Sequence, residues 1–190
     1  METAAANWPT TALPARSGLS DFDAVVREFW PRVFRFALAS LRDRGAAESL
    51  AQDCFLKAFQ ARDRFRGDSS VGTWIMRIAV NLIRDHARSR RFRFWKRIQT
   101  MAVEEAFACD SISDRRSSPE SAAAAKQRLE GVWRAMEHLS EQQRTVFLLR
   151  FVEDMDLLEI AAATGLKEGT VKTHLFRALQ TVRAKAGGAV

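Results

Sequence analysis

The chain is poor in the residues that most often build reactive sites. Its 190 residues include two cysteines, Cys54 and Cys109, and three histidines, His86, His138 and His174. Two cysteines make neither a disulfide framework nor a metal-ligand spacing. Cys54 sits in an apolar helical pattern and is most simply a core residue. Cys109 lies in a polar stretch where nothing nearby supports a redox role. The histidines are scattered, and there is no glycine-rich phosphate loop and no serine elbow. The sequence therefore reads as a non-enzyme without cofactor or metal. No apolar run approaches the ~20 residues of a membrane span, and the N-terminus lacks the basic-then-apolar order of a signal peptide. The expectation is no stable membrane insertion and a cytoplasmic location, which the few cysteines fit. No strand pattern and no internal repeat appears, which leaves an all-α chain.

What is present is apolar and basic. An apolar content of 47% excludes a wholly disordered chain. A net charge of +7 and a pI near 10.2 imply a polyanionic partner, nucleic acid first and an anionic membrane second.

Residues 1–20 lack periodicity and read as a flexible tail. From Asp21 the pattern is helical, with Phe22, Val25, Val26 and Phe29 on one stripe. Pro31 is expected to kink or restart that helix, which Val33, Phe34, Ala37, Leu38 and Leu41 continue. A second helix is expected from Ala46 to about Phe65, with Leu50, Cys54, Ala58 and Ala61 along one side and Phe55, Leu56 and Phe59 widening its apolar surface. A loop follows over Arg66–Gly72. Thr73 can cap a third helix, in which Trp74, Ile75, Ile78, Ala79, Leu82 and Ile83 pack inward. That helix runs into Arg84, Arg88, Arg90, Arg91, Arg93, Lys96 and Arg97, interleaved with Phe92, Phe94 and Trp95. Aromatics among arginines suit nucleic-acid stacking, a membrane surface or a protein partner, and a charge run is usually only a solvated face.

Residues 98–125 are polar and lose the apolar stripe, so they read as an interdomain linker, with a short helix possible over Met101–Phe107. Periodicity returns with Leu129, Val132, Trp133, Met136 and Leu139. Ser140 and Gln143 have capping-box spacing ahead of Val146, Phe147, Leu149 and Phe151. The most informative stretch is 156–179, a helix-turn-helix with a basic second helix. Ile160 and Ala161 pack the first helix, Gly165 supplies a positive φ at the break, and Leu166 plugs the gap. Val171, Leu175, Ala178 and Val182 form the buried stripe of the second helix. Lys172, Thr173, Phe176 and Arg177 are left on other faces, where they suit a major groove about 12 Å wide. An ordinary helical hairpin with a solvated basic face is the plain alternative.

The residues resemble a known family. Ala47-Glu48, Gln52-Asp53-Cys54-Phe55, Phe65-Arg66-Gly67, Thr73-Trp74, Ile78-Ala79, Asn81-Leu82 and Asp85-His86-Ala87-Arg88 resemble the promoter-opening region 2 of a bacterial RNA polymerase sigma factor. Leu139-Ser140, Val146 to Arg150, Glu159-Ile160-Ala161 and Gly169 to Ala178 resemble sigma region 4. The chain has no room for the other domains of a housekeeping sigma factor, so it is similar to the small extracytoplasmic-function (ECF) type of the sigma-70 family. The resemblance covers roughly Asp21 to Lys185. Ser49, Lys167 and the pair Thr173-His174 depart from common family residues.

The resemblance implies two small helical domains: region 2 over 21–97, reading the −10 element and binding core polymerase, and region 4 over 126–186, reading the −35 element. It implies core RNA polymerase, promoter DNA and an anti-sigma factor as partners. Gln52 and Asp53 match the polymerase-contact surface. The loop Arg66–Val71, with Ser69, matches the receiver of an unstacked non-template base; Asn81 can bond a base edge, and Arg84, Arg88 and Arg91 can hold backbone. Trp74 suits either base stacking or the core. Arg177 and Lys172 are candidates for guanine contacts, and Thr173 for a thymine methyl or phosphate. Phe176 is a base contact or a packing edge, and Thr170 a phosphate ligand or a helix cap. The alternative function is a stand-alone helix-turn-helix transcriptional regulator binding a two-fold duplex site without polymerase.

Overall fold

The computed structural model of the chain describes residues 21–98 and 131–186, with side chains described as far as Ser89 in the first stretch and Lys185 in the second. The expected tail, the linker 98–125 beyond Ile98, the basic–aromatic run from Arg90 and Cys109 lie outside these described side chains. Among the described residues every regular element is helical.

Helix α1 spans Phe22–Leu41, and Asp21 caps it by accepting from the Ala24 N–H at 3.0 Å. It runs through Pro31 without restarting. Pro31 is exposed, so the carbonyl that its ring leaves unbonded is on the solvent side, where water can satisfy it. Val25, Phe29, Val33, Phe36 and Ala37 are the buried stripe. Helix α2 spans Arg44–Ala61, capped by Asp43 through the Ala46 N–H at 2.8 Å. It stops four residues short of the expected Phe65, giving way to a 3-10 turn at Arg62–Arg64. Phe65 is extended, and its ring packs on Trp74 at a centroid distance of 5.1 Å.

Helix α3 spans Val71–Ile98. Its cap is Ser70 rather than Thr73: the Thr73 N–H donates to Ser70 Oγ at 3.1 Å. Gly72 lets α3 lie close on α1, because a Cβ there would meet Phe29 Cε1 at 2.8 Å. Ile75, Ala79 and Ile83 are buried as the periodicity predicts, whereas Trp74, Ile78 and Leu82 are half-buried.

The C-terminal unit contains α4 (131–137), α5 (Glu141–Phe151), α6 (Leu157–Thr164) and α7 (Glu168–Ala186). The Ser140–Gln143 capping box is formed, and Asp156–Glu159 forms a second one at the head of α6. Val146, Phe147, Leu148 and Leu149 are buried, but Phe151 is exposed and lies against Phe147.

The two units touch, with α5 and the α5–α6 turn against α1 and with α6 against α3. Met76 and Val80, outside the stripe expected to face inward, are buried as well. The turn Val152–Asp156 carries Glu153, whose side chain is fully buried. Its carboxylate accepts from Arg32 Nε at 3.2 Å and from Arg35 Nε and Nη2 at 2.9 and 3.0 Å. Arg42, at the end of α1, pairs with Glu137 at 2.6 Å and lies over the Trp133 ring.

Candidate nucleic-acid and polymerase interface

The break of the helix-turn-helix is built as its sequence predicts. Gly165 has φ 73°, the left-handed region that glycine enters without a Cβ clash, and its N–H donates to the Ala161 carbonyl at 2.9 Å. Thr164 Oγ1 donates back to the Ile160 carbonyl at 2.6 Å and stands 3.4 Å from the Leu166 N–H, closing the turn from inside. Val171, Ala178 and Val182 bury one face of α7, with Leu175 half-buried beside them. The opposite surface carries Thr170, Lys172, Thr173, Phe176 and Arg177, all exposed.

These five differ in how free their polar atoms are. Lys172 Nζ pairs with Glu168 Oε1 at 2.6 Å, one turn earlier. Both side chains are solvated, so the pair is worth about 0–1 kcal/mol and gives way readily to a phosphate or a guanine edge. Thr173 Oγ1 donates to the Gly169 carbonyl at 2.9 Å, which leaves its methyl and oxygen lone pairs for a partner. Phe176 is 61% exposed and therefore is not an edge of the helix packing. The α7 N-terminus is closed by the backbone, with Thr170 N–H donating to the Lys167 carbonyl at 2.9 Å.

The N-terminal unit presents two surfaces. On α3, Trp74, Asn81 and Arg88 are spaced about two turns apart and share one face. Asn81 and Arg88 are exposed, whereas Trp74 is half-buried against Phe65, so it is both a packing residue and a flat apolar wall. Beside it runs the loop of Ser69, which turns at Gly67 with φ 79°. Asp85 is an exposed acid on the same face. Arg84 does not join this group. It points under α6, where Nη2 donates to the Thr164 carbonyl at 3.4 Å. The periodic pattern gives no hint of that, because Arg84 meets its partner across 80 residues. The side chain of Arg91 lies outside the described residues.

The second surface is the outer face of α2. Gln52 and Asp53 are exposed, and beside them Leu56 and Phe59 are 55% and 45% exposed. Phe59 is braced by Phe22 edge-on at 5.2 Å and by the Arg62 guanidinium 3.9 Å from its centroid. Leu56 and Phe59 share the helical phase of Gln52, a signal already legible in the sequence that marks them as outward rather than core. Cys54, on the inner side of α2, is core: burial pushes its thiol up to about 12 against an opposing effect of Lys57, and its Sγ donates to the Ile75 carbonyl at 3.6 Å. A thiol held protonated in this way is inert. Among the described residues no cluster of His, Cys, Asp and Glu could hold a metal ion, and no helix is long and apolar enough to cross a membrane.

Comparison with known proteins supplies the frame for these surfaces. The family model described as Sigma-70 region 2 matches residues 25–93, and that described as Sigma-70, region 4 matches residues 129–182. The chain is 30% identical over 161 residues to the RNA polymerase sigma-H factor of Pseudomonas aeruginosa, covering 85% of this chain and 83% of the relative. It is 31% identical over 156 residues to the ECF RNA polymerase sigma-E factor of Escherichia coli K12, covering 80% and 82%. In fold it is similar to the sigma factor RpoE solved in complex with the anti-sigma factor NepR from Bartonella quintana, with a TM-score of 0.68 at 22% identity over 86% of this chain and 95% of that one. It is also similar to CnrH solved with the cytosolic domain of CnrY, with a TM-score of 0.62 at 23% identity over 90% of each chain.

Proposed function

The chain belongs to the sigma-70 family of RNA polymerase sigma factors, in its extracytoplasmic-function branch, and we propose that its exposed surfaces divide the work of promoter recognition as follows. The observation that carries the reading is the pairing, in one chain and in family order, of a region 2 unit with a region 4 unit whose recognition helix is solvent-facing.

Region 4 reads the −35 element with α7 in the major groove. Arg177 and Lys172 suit guanine O6 and N7, Thr173 and Phe176 suit thymine methyls, and Thr170 at the helix start suits a phosphate. Region 2 reads the −10 element. Its Ser69 loop and the Phe65–Trp74 wall receive a base of the non-template strand, at an unstacking cost of a few kcal/mol. Asn81 bonds an edge of that strand and Arg88 its backbone. The α2 face of Gln52, Asp53, Leu56 and Phe59 docks on core polymerase, its apolar pair giving affinity and its polar pair register. The chain is a non-catalytic subunit: it positions and opens promoter DNA for a polymerase that supplies the chemistry, and it works in the cytoplasm. An anti-sigma factor is a further partner, supported by the RpoE relative solved with one.

Run-off transcription with purified core polymerase on a genomic promoter library tests the reading. Promoter-specific transcripts are expected, and none with either component alone. In the same assay Arg177→Ala should relax preference at one −35 position by about 1–3 kcal/mol. Arg88→Ala should weaken opening on all promoters alike and make its salt dependence shallower. Absence of any core-dependent transcript would sink the proposal. A uniform loss for Arg177→Ala would demote it to a phosphate contact.

A further inference from the structure

One charge on α3 has the wrong sign for its surroundings. Asp85 lies on the face of Trp74, Asn81 and Arg88, one turn after Asn81 and just under one turn before Arg88. Arg77 flanks the same face, and the whole chain carries a net charge of +7. A carboxylate set into a surface that meets phosphates weakens the attraction, unless it accepts a hydrogen bond from the nucleic acid itself. Packing and helix chemistry give no other reason for an acid there. Asp85 is midway along α3, Val71–Ile98, far from the first turn, where a negative charge favours the helix dipole. Aspartate is also a poorer helix former than the straight-chain residues. The side chain is exposed and forms no hydrogen bond or ion pair among the described residues, although Arg88 stands within a turn of it. It neither caps, pairs nor packs.

We propose, resting on the promoter reading above, that Asp85 reads a base of the opened −10 strand by accepting from its amino group, and so rejects thymine at that position. Asn81 and Asp85 are about 6 Å apart along the helix, at about 1.5 Å per residue. Stacked bases of one strand are about 3.4 Å apart, so Asp85 meets a base one or two positions from that of Asn81. A carboxylate only accepts. Adenine and cytosine offer it an exocyclic amino group, and guanine offers N1–H beside its amino group. Thymine has a single N–H, set between two carbonyl oxygens that a carboxylate repels. Asn81 has donors and an acceptor and can suit any base edge, and Arg88 holds backbone. Exclusion of thymine on this face therefore belongs to Asp85 rather than to its neighbours.

Run-off transcription by the full chain with core polymerase, on promoters carrying each of the four bases at each −10 position, tests the assignment. With the wild type, thymine should lower transcription at one position by about tenfold relative to an amino-bearing base. Asp85→Asn should remove that penalty at that position alone, because an amide N–H donates to a thymine carbonyl. Asp85→Glu keeps the carboxylate and should keep the penalty. A wild type indifferent to thymine, or a base profile unchanged by Asp85→Asn, overturns the proposal. So does a uniform rise for Asp85→Asn on every template, which would make Asp85 no more than a repeller of phosphates. A uniform fall with weaker core binding overturns it too, by making Asp85 a polymerase contact. If Asp85→Asn loses helicity, Asp85→Ala, a better helix former, decides, and a thymine penalty that survives in it overturns the proposal. Absence of any core-dependent transcript from the wild type removes the sigma reading and this one together. A wild type that transcribes normally, with an unchanged Asp85→Asn profile, removes this one alone.

Discussion

The two units of this chain hold their shapes by different means. Region 4 sets two short helices beside a long one: α5 has 11 residues and α6 has 8, both beginning with a capping box, and α7 has 19. Helices that short are marginal alone, and each here is started by its cap and stopped by a defined turn. Region 2 has helices of 20, 18 and 28 residues, two of them capped by a single aspartate, around a core that includes Phe36, Phe55 and Ile75. Local hydrogen-bond chemistry sets the starts of α5 and α6 in region 4. Long-range packing shapes region 2. The lesson is that damage should look different in the two: broad unfolding on one side, a local loss on the other.

The largest effect is expected where packing dominates. Phe36 has no exposed surface, so Phe36→Ala should destabilise region 2 by about 3–5 kcal/mol. Urea denaturation followed by far-ultraviolet circular dichroism measures it, and a loss below about 1 kcal/mol would break the contrast. Next comes Gly72→Ala. Its new Cβ would crowd the Phe29 ring at 2.8 Å and reach Arg32 at 3.5 Å. Overpacking there should cost about 1–3 kcal/mol, and hydrogen exchange should rise along α1 and α3 while α7 is unaffected.

In region 4 the costs are smaller and conformational. At Gly165 a Cβ meets nothing within 4 Å, so only its φ of 73° penalises substitution. Gly165→Ala should cost about 1–2 kcal/mol, and Gly165→Asn less, because asparagine tolerates that region. Equal costs for the two would mean that crowding, not backbone angle, governs the turn. Asp156→Ala removes the acceptor of the Glu159 N–H bond at 2.8 Å and should cost about 1 kcal/mol. It should increase exchange in α6 before any other helix. If α3 loosened as much, the two units would be one cooperative body rather than two joined by a separable interface.

Some of this molecule is decided within a few residues. The cap at Ser140, the left-handed turn at Gly165 and the buried stripe Val171–Ala178–Val182 depend on neighbours three to four positions away, so the sequence alone determines them. The exposed basic and aromatic face of α7 follows from the same periodicity. The faces of α3 do not. That helix carries apolar residues nearly all round, and a pattern of that kind cannot say which side meets solvent. Tertiary structure decides it: α6 covers Val80 and Met76, takes Arg84 away from Asn81 and Arg88, and buries Thr73. Glu153 is the sharpest case. Set in the polar run Glu153-Asp154-Met155-Asp156, it reads as a solvated turn residue, yet it is buried because its arginines arrive from 118 and 121 residues away. A charge is buried only where opposite charges meet it, and that meeting is a property of the folded chain rather than of any local stretch.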